Sequence, residues 1–599
     1  MSVATMVYDT MRLFISSDHF HLQPTEATQT LIIDRVSREL SIVEGSAVDI
    51  PAAAVSKNIF GILGIVKLIS GPNLVVITDR TLVGEINGHL IWAINKTEVF
   101  PYAKSVFHLN SRQQQDNRTY ELLLKTALDT KGLYYSTSYD LTHTLQRLYN
   151  TSSDFSSISL AERADQRFVW NHNLLRELKQ QSELALYTLP VVCGFIAIKP
   201  VSMRGHNFNY VLISRRSVFW AGTRYNIRGL DSDGHAANFV ETEQLIEYDY
   251  SKCSFVQTRG SIPLKWSQKV NLKYKPRPKI YDVDHPTLMH WPLFTYQKYF
   301  ADHFNGQIYN YGGQVLVNLV NLTGTEGRLA YEMEQQVRKA ANRNINYEAF
   351  DFHKECGQNN WSRLSILMAR LENYQEGFGY FSINRSGSEV SQQKGVFRVN
   401  CIDCLDRTNV VEGLLAKRSL KQQLVRLGIL LESDTIEAQS AFDYVFRNVW
   451  ADNADYISMQ YAGTGALKTD FTRTGKRTTL GLLKDGWNSM VRYYRNNFSD
   501  GFRQDSIDLF LGNYLVDEQE GTVKTSPLNV DRDFKFYILP VVFLVAISMF
   551  TFTVLLPSEA WAEQIGSVLF WGGAAVSSLV TIYAYGSDFV DVPKLTQST

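Results

Sequence analysis

Residues 537 to 556 read Tyr-Ile-Leu-Pro-Val-Val-Phe-Leu-Val-Ala-Ile-Ser-Met-Phe-Thr-Phe-Thr-Val-Leu-Leu, a run without a single charge. At about 1.5 Å of rise per residue, a helix of this length covers a hydrocarbon core of about 30 Å. Backbone amides in lipid must be satisfied within the segment, so such a run has helix as its one open form. A second uncharged run, 565 to 585, follows the short connection Pro557-Ser-Glu-Ala-Trp-Ala-Glu-Gln564. A buried helical hairpin in a soluble core is the alternative; two such runs at the end of a chain favour a membrane hairpin. Arg532 and Lys535 precede the first run, Lys594 follows the second, and the connection carries Glu559 and Glu563 but no base. Positive-inside reasoning therefore predicts transmembrane helices at 537–556 and 565–585, a lumenal loop at 557–564 and a cytosolic tail at 586–599.

The rest of the 599 residues is too long for one core. Lysine plus arginine equals aspartate plus glutamate, 60 each, so no global field points to nucleic acid or to a membrane surface, and an anionic substrate must be read by a local patch. Five cysteines, with 401 and 404 the one close pair, indicate reduced cytosolic domains rather than a disulfide scaffold. The N-terminus has no basic segment followed by an apolar run, so no conventional cleaved signal peptide is expected. Residues 1–184 read as β-rich, with short apolar runs at 30–34, 62–69, 73–78 and 88–92 and a helical stretch at 120–128. Strands and helices alternate through 185–513, which predicts an α/β layer fold. Residues 514–536 are polar and turn-rich, a linker by composition. Twenty such residues span roughly 25 Å as a coil and at most about 65–70 Å extended, enough for the body to reach its own bilayer.

Within the α/β part lies Arg398-Val-Asn-Cys401-Ile-Asp-Cys-Leu-Asp-Arg407-Thr-Asn409. Gly395-Val-Phe-Arg-Val399 alternates like a strand, while Val411, Leu414 and Leu415 recur at helical spacing, so Cys401 belongs to a strand–loop–helix. A free thiol with a pKa of about 8.5 is only a few per cent thiolate at neutral pH, and a nucleophilic cysteine must be shifted down. Backbone N–H groups at a helix N-terminus do this, and the same groups cradle phosphate oxygens. The spacing makes Cys401 the nucleophile, Ile402, Cys404, Leu405, Asp406 and Thr408 the phosphate loop, and Arg407 the planar fork that grips the phosphoryl oxygens. In-line attack gives a phosphocysteine that water then cleaves, with neither metal nor cofactor required. Thr408 either donates to the sulfur or is an ordinary first-turn residue. Cys253-Ser-Phe-Val-Gln-Thr-Arg259 has the same spacing, but Gly260, Ser261 and Pro263 forbid a helix after it, so Cys253 reads as structural.

Two acids inside an anion-binding loop demand a role. Either Asp403 or Asp406 is the general acid that protonates the leaving oxygen, or both point outward to neighbouring bases. Such a loop suits a single phosphate monoester better than adjacent phosphates. Cys401 and Cys404 form C-x-x-C; a thioredoxin-like function would not need Arg407 and Thr408 in register, while a reversible 401–404 disulfide stays open. Asp351-Phe-His-Lys-Glu-Cys356 matches no zinc spacing. His353 and Lys354 there are either substrate-facing or structural, and 450–455 is another place for an acid. Lys468, Arg473, Lys476, Arg477, Lys484, Arg492, Arg495 and Arg503 make a basic region. It reads as an electropositive rim for an anionic bilayer, or else as a solvated helical face. Gly463-Thr-Gly-Ala-Leu-Lys-Thr469 lacks the Gly-Lys-Ser/Thr ending of a nucleotide loop.

The run 398–409 resembles the signature of the Sac phosphoinositide phosphatases. Nearly the whole chain, membrane tail included, resembles their membrane-anchored members of the animal endoplasmic reticulum and Golgi. The likeness is carried by 60–64, 139–147, 164–170, 234–243, Gln257-Thr-Arg-Gly-Ser-Ile-Pro263 and 461–470. It implies hydrolysis of phosphatidylinositol 4-phosphate, with the 3-phosphate also accepted, and membrane-contact-site proteins as partners. It also lends weight to Asp403 as the acid. The ending Pro593-Lys-Leu-Thr-Gln-Ser-Thr599 lacks the lysine pair by which some relatives are retrieved. Two further classes are compatible with the chain: a lipid-binding tether without turnover, against which the intact Cys401, Arg407 and Thr408 argue, and a membrane-anchored protein tyrosine phosphatase, which the acidic loop and hairpin disfavour.

Overall fold

The computed structural model describes residues 6–45, 50–281, 293–357, 360–529, 532–556 and 560–595. Part of the expected lumenal loop (557–559) and the last four tail positions lie outside these residues.

A mixed sheet of thirteen strands runs through the body. It begins as an antiparallel meander: Ile62–Leu68, Gly71–Ile86, His89–Pro101, Leu133–Tyr135, Val192–Met203, His206–Arg216, Val240–Tyr248 and Ser251–Arg259. There it changes character. Gly395–Asn400 lies parallel to Ser251–Arg259, Gly313–Asn318 lies parallel beyond it, and Ile345–Ala349 closes the edge. The boundary expected near 185 is crossed by the sheet, since Tyr134 pairs with Val192 and Leu133 with Cys193. A second sheet of five strands, 11–15, 19–24, 29–34, 40–44 and 55–59, covers the N-terminal end around Leu13, Phe20, Leu22 and Ile33.

Gly395–Asn400 is buried at all six positions, as a parallel strand covered on both faces must be. Phe397 and Val399 face the helical layer and Val396 the opposite core. The helix Asp406–Arg426 lays Val411, Leu415, Leu420 and Leu424 against that layer, packed with Leu367, Phe442 and Trp450. Each fully buried side chain of this kind contributes about 1.5–3 kcal/mol. Together they fix the loop 401–405 at the carboxyl end of a central strand, where parallel sheets present their sites.

The segment after 514 is not a free coil. Tyr120 Oη and Tyr514 Oη each donate to Glu520 at 2.7 Å, Arg38 pairs with Glu518 at 2.8 Å, and Leu528 enters the core beside Leu109 and Leu123. The polar composition that reads as a linker serves as hydrogen-bonding surface for a docked strap, so the reach expected of a coil does not apply to 514–529. The tail behaves likewise. Asp591 N donates to Asn497 O at 2.6 Å, and Asp505 Oδ1 accepts from the backbone of Lys594 and Leu595 at 2.8 and 2.9 Å.

Between strap and tail stand two antiparallel helices, Lys535–Leu555 and Trp561–Ala584, with mean hydropathies of 2.5 and 1.7 and almost no burial in the protein. Gly572 lets the Phe550 ring approach so closely that a Cβ would sit 3.2 Å from it. These are the two helices, among the described residues, long and apolar enough to cross a membrane.

Candidate active site

Cys401 is the first residue after the buried strand and is itself 3% exposed. The chain turns at Cys404, whose φ of +52° lies in the left-handed region, a costly geometry for a residue with a side chain. The turn aims the Cys404 amide at the sulfur: Cys404 N donates to Cys401 Sγ at 3.1 Å. Hydrogen bonding from Cys404 is the largest influence on the Cys401 thiol. Burial opposes it, while the Arg407 charge and the Thr408 hydroxyl assist, and the pKa falls to about 6. The Thr408 hydroxyl itself is buried and makes no hydrogen bond among the described residues.

Cys404 is the opposite case. Its Sγ donates to Gly260 O at 2.7 Å, and burial pushes the thiol well above its usual range. It remains a neutral donor. The backing for the loop comes from the stretch after Ser251–Arg259, whose Gly260 and Ser261 carbonyls also accept from the buried Arg398 guanidinium at 3.0 and 2.7 Å. Cys253 lies within that strand, with burial pushing its thiol up to about 12.

The two acids of the loop line the same cavity as the sulfur and bind neighbouring bases. Asp403 is gripped by Arg224, with Nε to Oδ1 at 3.0 Å and Nη2 to Oδ2 at 2.6 Å, and by Arg228 at 2.7 Å. Burial works to raise its pKa, but the two guanidiniums prevail and hold it well below the usual carboxylate range. In this geometry Asp403 fastens the loop through both arginines, and Arg228 also donates to Ile402 O at 2.9 Å. Asp406 accepts from Leu467 N at 2.6 Å and lies 3.5 Å from Arg492.

Arg407 donates to Leu319 O at 3.0 Å and meets Glu326 at 3.2 Å, in the first turn of the helix Gly324–Ala340. It is therefore parked on a carboxylate beside the pocket. A phosphate arriving at Cys401 competes with Glu326 for the same fork.

The sulfur opens into a cavity of about 280 Å³. Arg224, Arg228, Lys275, Arg407, Lys468 and Arg492 line it, against the carboxylates Asp403, Asp406 and Glu326. His353 joins them, its pKa lowered by partial burial and by the charge of Arg407. The sequence-predicted rim is only partly there. Lys468 lines the cavity; Arg473 is tied to Asp452 at 2.7 Å and Asp455 at 3.3 Å, and Arg477 to Asp470 and Asp485. Lys476 and Lys354 are exposed outside it. The amides of 467 and 468 are occupied by Asp406 and Asp485, which leaves 463–469 no cradle for a nucleotide phosphate. Sequence reading missed Arg224, Arg228 and Glu326. They lie far along the chain from 401 and share no spacing with it.

A family model described as SacI homology domain matches residues 60–357. Phosphatidylinositol-3-phosphatase SAC1-A of Danio rerio is 49% identical over 98% of both chains. Nearly the whole chain is covered. It belongs to the Sac family. Phosphatidylinositol-3-phosphatase SAC1 of Drosophila melanogaster is 44% identical over 98% of this chain and 97% of its own. The protein of that name in Saccharomyces cerevisiae is 34% identical over 96% and 92%. The family model ends before Cys401, so the catalytic loop of this Sac protein stands on its own geometry and on the full-length relatives.

Proposed function

We propose that this chain is an integral-membrane phosphoinositide phosphatase. It removes the phosphate of phosphatidylinositol 4-phosphate, and of the 3-phosphate, to leave phosphatidylinositol. The Cys401 thiolate, held beside the Cys404 amide at the mouth of a cationic cavity, carries the reading. The sulfur attacks phosphorus in line and the P–O bond to inositol breaks. Arg407 leaves Glu326 to bind two phosphoryl oxygens, while the loop amides hold the charge that develops. The departing inositol oxygen takes a proton, and water then cleaves the S–P bond, returning the thiolate and releasing inorganic phosphate.

The names of the relatives support the substrate class. The charges flanking the two apolar helices support a catalytic body and both termini in the cytosol, where phosphoinositide head groups face. The endoplasmic reticulum and Golgi membranes are the proposed location, and proteins of membrane contacts the proposed partners. Full-length protein in vesicles, wild type and Cys401→Ser, is the test, with phosphate release read from each phosphatidylinositol monophosphate and bisphosphate. Release from the monophosphates that vanishes in Cys401→Ser is expected. Lipid binding without release by the wild type would put a tether in its place.

A further inference from the structure

The helix Thr479–Phe498 is built inside out. A helix at the surface of a soluble protein turns its apolar stripe to the core and its charges to water. Here Leu480, Leu483, Trp487, Met490 and Tyr494 recur at intervals of three and four and are 77, 69, 66, 67 and 61% exposed. Its buried side chains are polar. Arg492 is 5% exposed, with Nε donating to Thr464 Oγ1 at 2.8 Å and Nη2 to Ser458 Oγ at 2.9 Å. Asn496 and Asn497 are buried beside it. Asp485 accepts from Lys468 N at 3.0 Å and from Arg477 at 2.7 Å. Water has no reason to be offered such a stripe, and contiguous apolar surface of this kind marks a contact.

What covers it follows from where it lies. Asn497 O, at the end of this helix, accepts the amide of Asp591 at 2.6 Å. Asp591 is seven residues past Ala584, where the second apolar helix ends. Seven residues span at most about 25 Å when extended, so the end of the stripe lies within that distance of the bilayer boundary. Charge agrees, because Lys476 and Lys484 flank the stripe and are exposed. The inner face reaches the catalytic loop: Arg492 stands 3.5 Å from Asp406, and Lys468 lines the cavity.

We propose that the helix Thr479–Phe498 lies in the headgroup layer of the chain's own membrane, apolar face down, and so holds the catalytic cavity against the bilayer. This rests on the two apolar helices spanning that membrane and, for its consequence, on the lipid substrate proposed above. An interfacial helix has one face in the acyl boundary and the other in a polar medium. In this chain the polar medium is the catalytic body itself.

The other four native cysteines are buried and Cys401 opens into the cavity, so Leu483→Cys is made together with Cys401→Ser and its one exposed thiol takes an environment-sensitive fluorophore. In full-length protein reconstituted into phosphatidylcholine vesicles doped with phosphatidylserine, the fluorophore is expected to shift to the blue and to be quenched by spin-labelled lipid. A water-like spectrum without quenching overturns the proposal. So does a blue shift insensitive to spin-labelled lipid but abolished by dilution, because a second copy would then cover the face. The variant L483Q/W487Q/M490Q gives the functional arm. Its turnover of a short-chain, water-soluble phosphoinositide should match wild type, while turnover of long-chain lipid in the vesicle falls at least about tenfold as insertion energy is lost. Equal turnover of both substrates overturns the proposed role. Failure of the wild type on the soluble substrate would count against the phosphatase reading, while the fluorophore still decides the docking.

Discussion

A thiol with a pKa of about 6 is ionised over most of the neutral range, so Cys401 sets the acidic limb of activity. For the free enzyme, kcat/KM on a soluble phosphoinositide should rise through about pH 6 and level off above it. Thr408→Ala removes one group that lowers the thiol pKa, and the limb should move to higher pH; an unmoved limb would mean that the hydroxyl does not touch the sulfur in solution. Asp403 makes a second prediction. If it fastens the loop, Asp403→Asn should lower the melting temperature and kcat while keeping whatever alkaline limb the wild type shows. Breaking a buried ion pair by removing one partner costs about 3–5 kcal/mol, and Arg224 and Arg228 would be left facing each other. Loss of the alkaline limb in Asp403→Asn would give the general-acid role to this residue.

Among the elements, the tail carries a prediction of its own. Asp505 accepts both tail amides, yet burial, with Asp508 and Asp591 near by, pushes its pKa from the ordinary 3.8 up to about 7. Because the folded value is the higher one, the stability it contributes is complete below about pH 4 and lost as pH rises through about 7. Asp505→Asn keeps an accepting oxygen without the charge. It should raise the melting temperature of the full-length protein at pH 8, by a ΔΔG on the order of 2 kcal/mol, and do less at pH 4. A variant destabilised equally at both values would refute the assignment. Strap and tail are also where reading the chain alone fell short. Residues 514–529 and 586–595 are polar and turn-rich whether they float or dock, and only their partners Tyr120, Arg38 and Asp505 distinguish the two. The apolar runs and the strand–loop–helix at 395–426 were legible because their signals are local: absence of charge over a span, and a change of period at a cysteine. Arg224, Arg228 and Glu326 reach the loop through sheet topology, which no spacing along the chain encodes. The inverted helix 479–498 has an ordinary amphipathic period; which face is inside depends on its neighbours.

At the scale of the molecule, the β-rich first part and the catalytic part are one sheet. The hydrogen-bond ladder passes from Leu133–Tyr135 into Val192–Met203 and on to the strand beside Cys401's own. Gln460 Nε2 adds a tie, donating to Lys131 O at 3.1 Å and to Gly194 O at 2.8 Å. Cutting the chain at 185 would therefore bare the edge of Val192–Met203, whose first seven positions are buried, and an exposed apolar edge templates aggregation. The strap adds to the cost, because the side chains that hold 514–529 belong to the first part. Residues 185–529 expressed alone should be insoluble, whereas 1–529 should elute as a single species on gel filtration and turn over a soluble phosphoinositide. Co-expression of 1–184 with 185–529 should recover soluble protein, as the two pieces complete one sheet. A soluble, active 185–529 fragment would show that the catalytic part folds without its neighbour and that the shared ladder is a contact between independent domains.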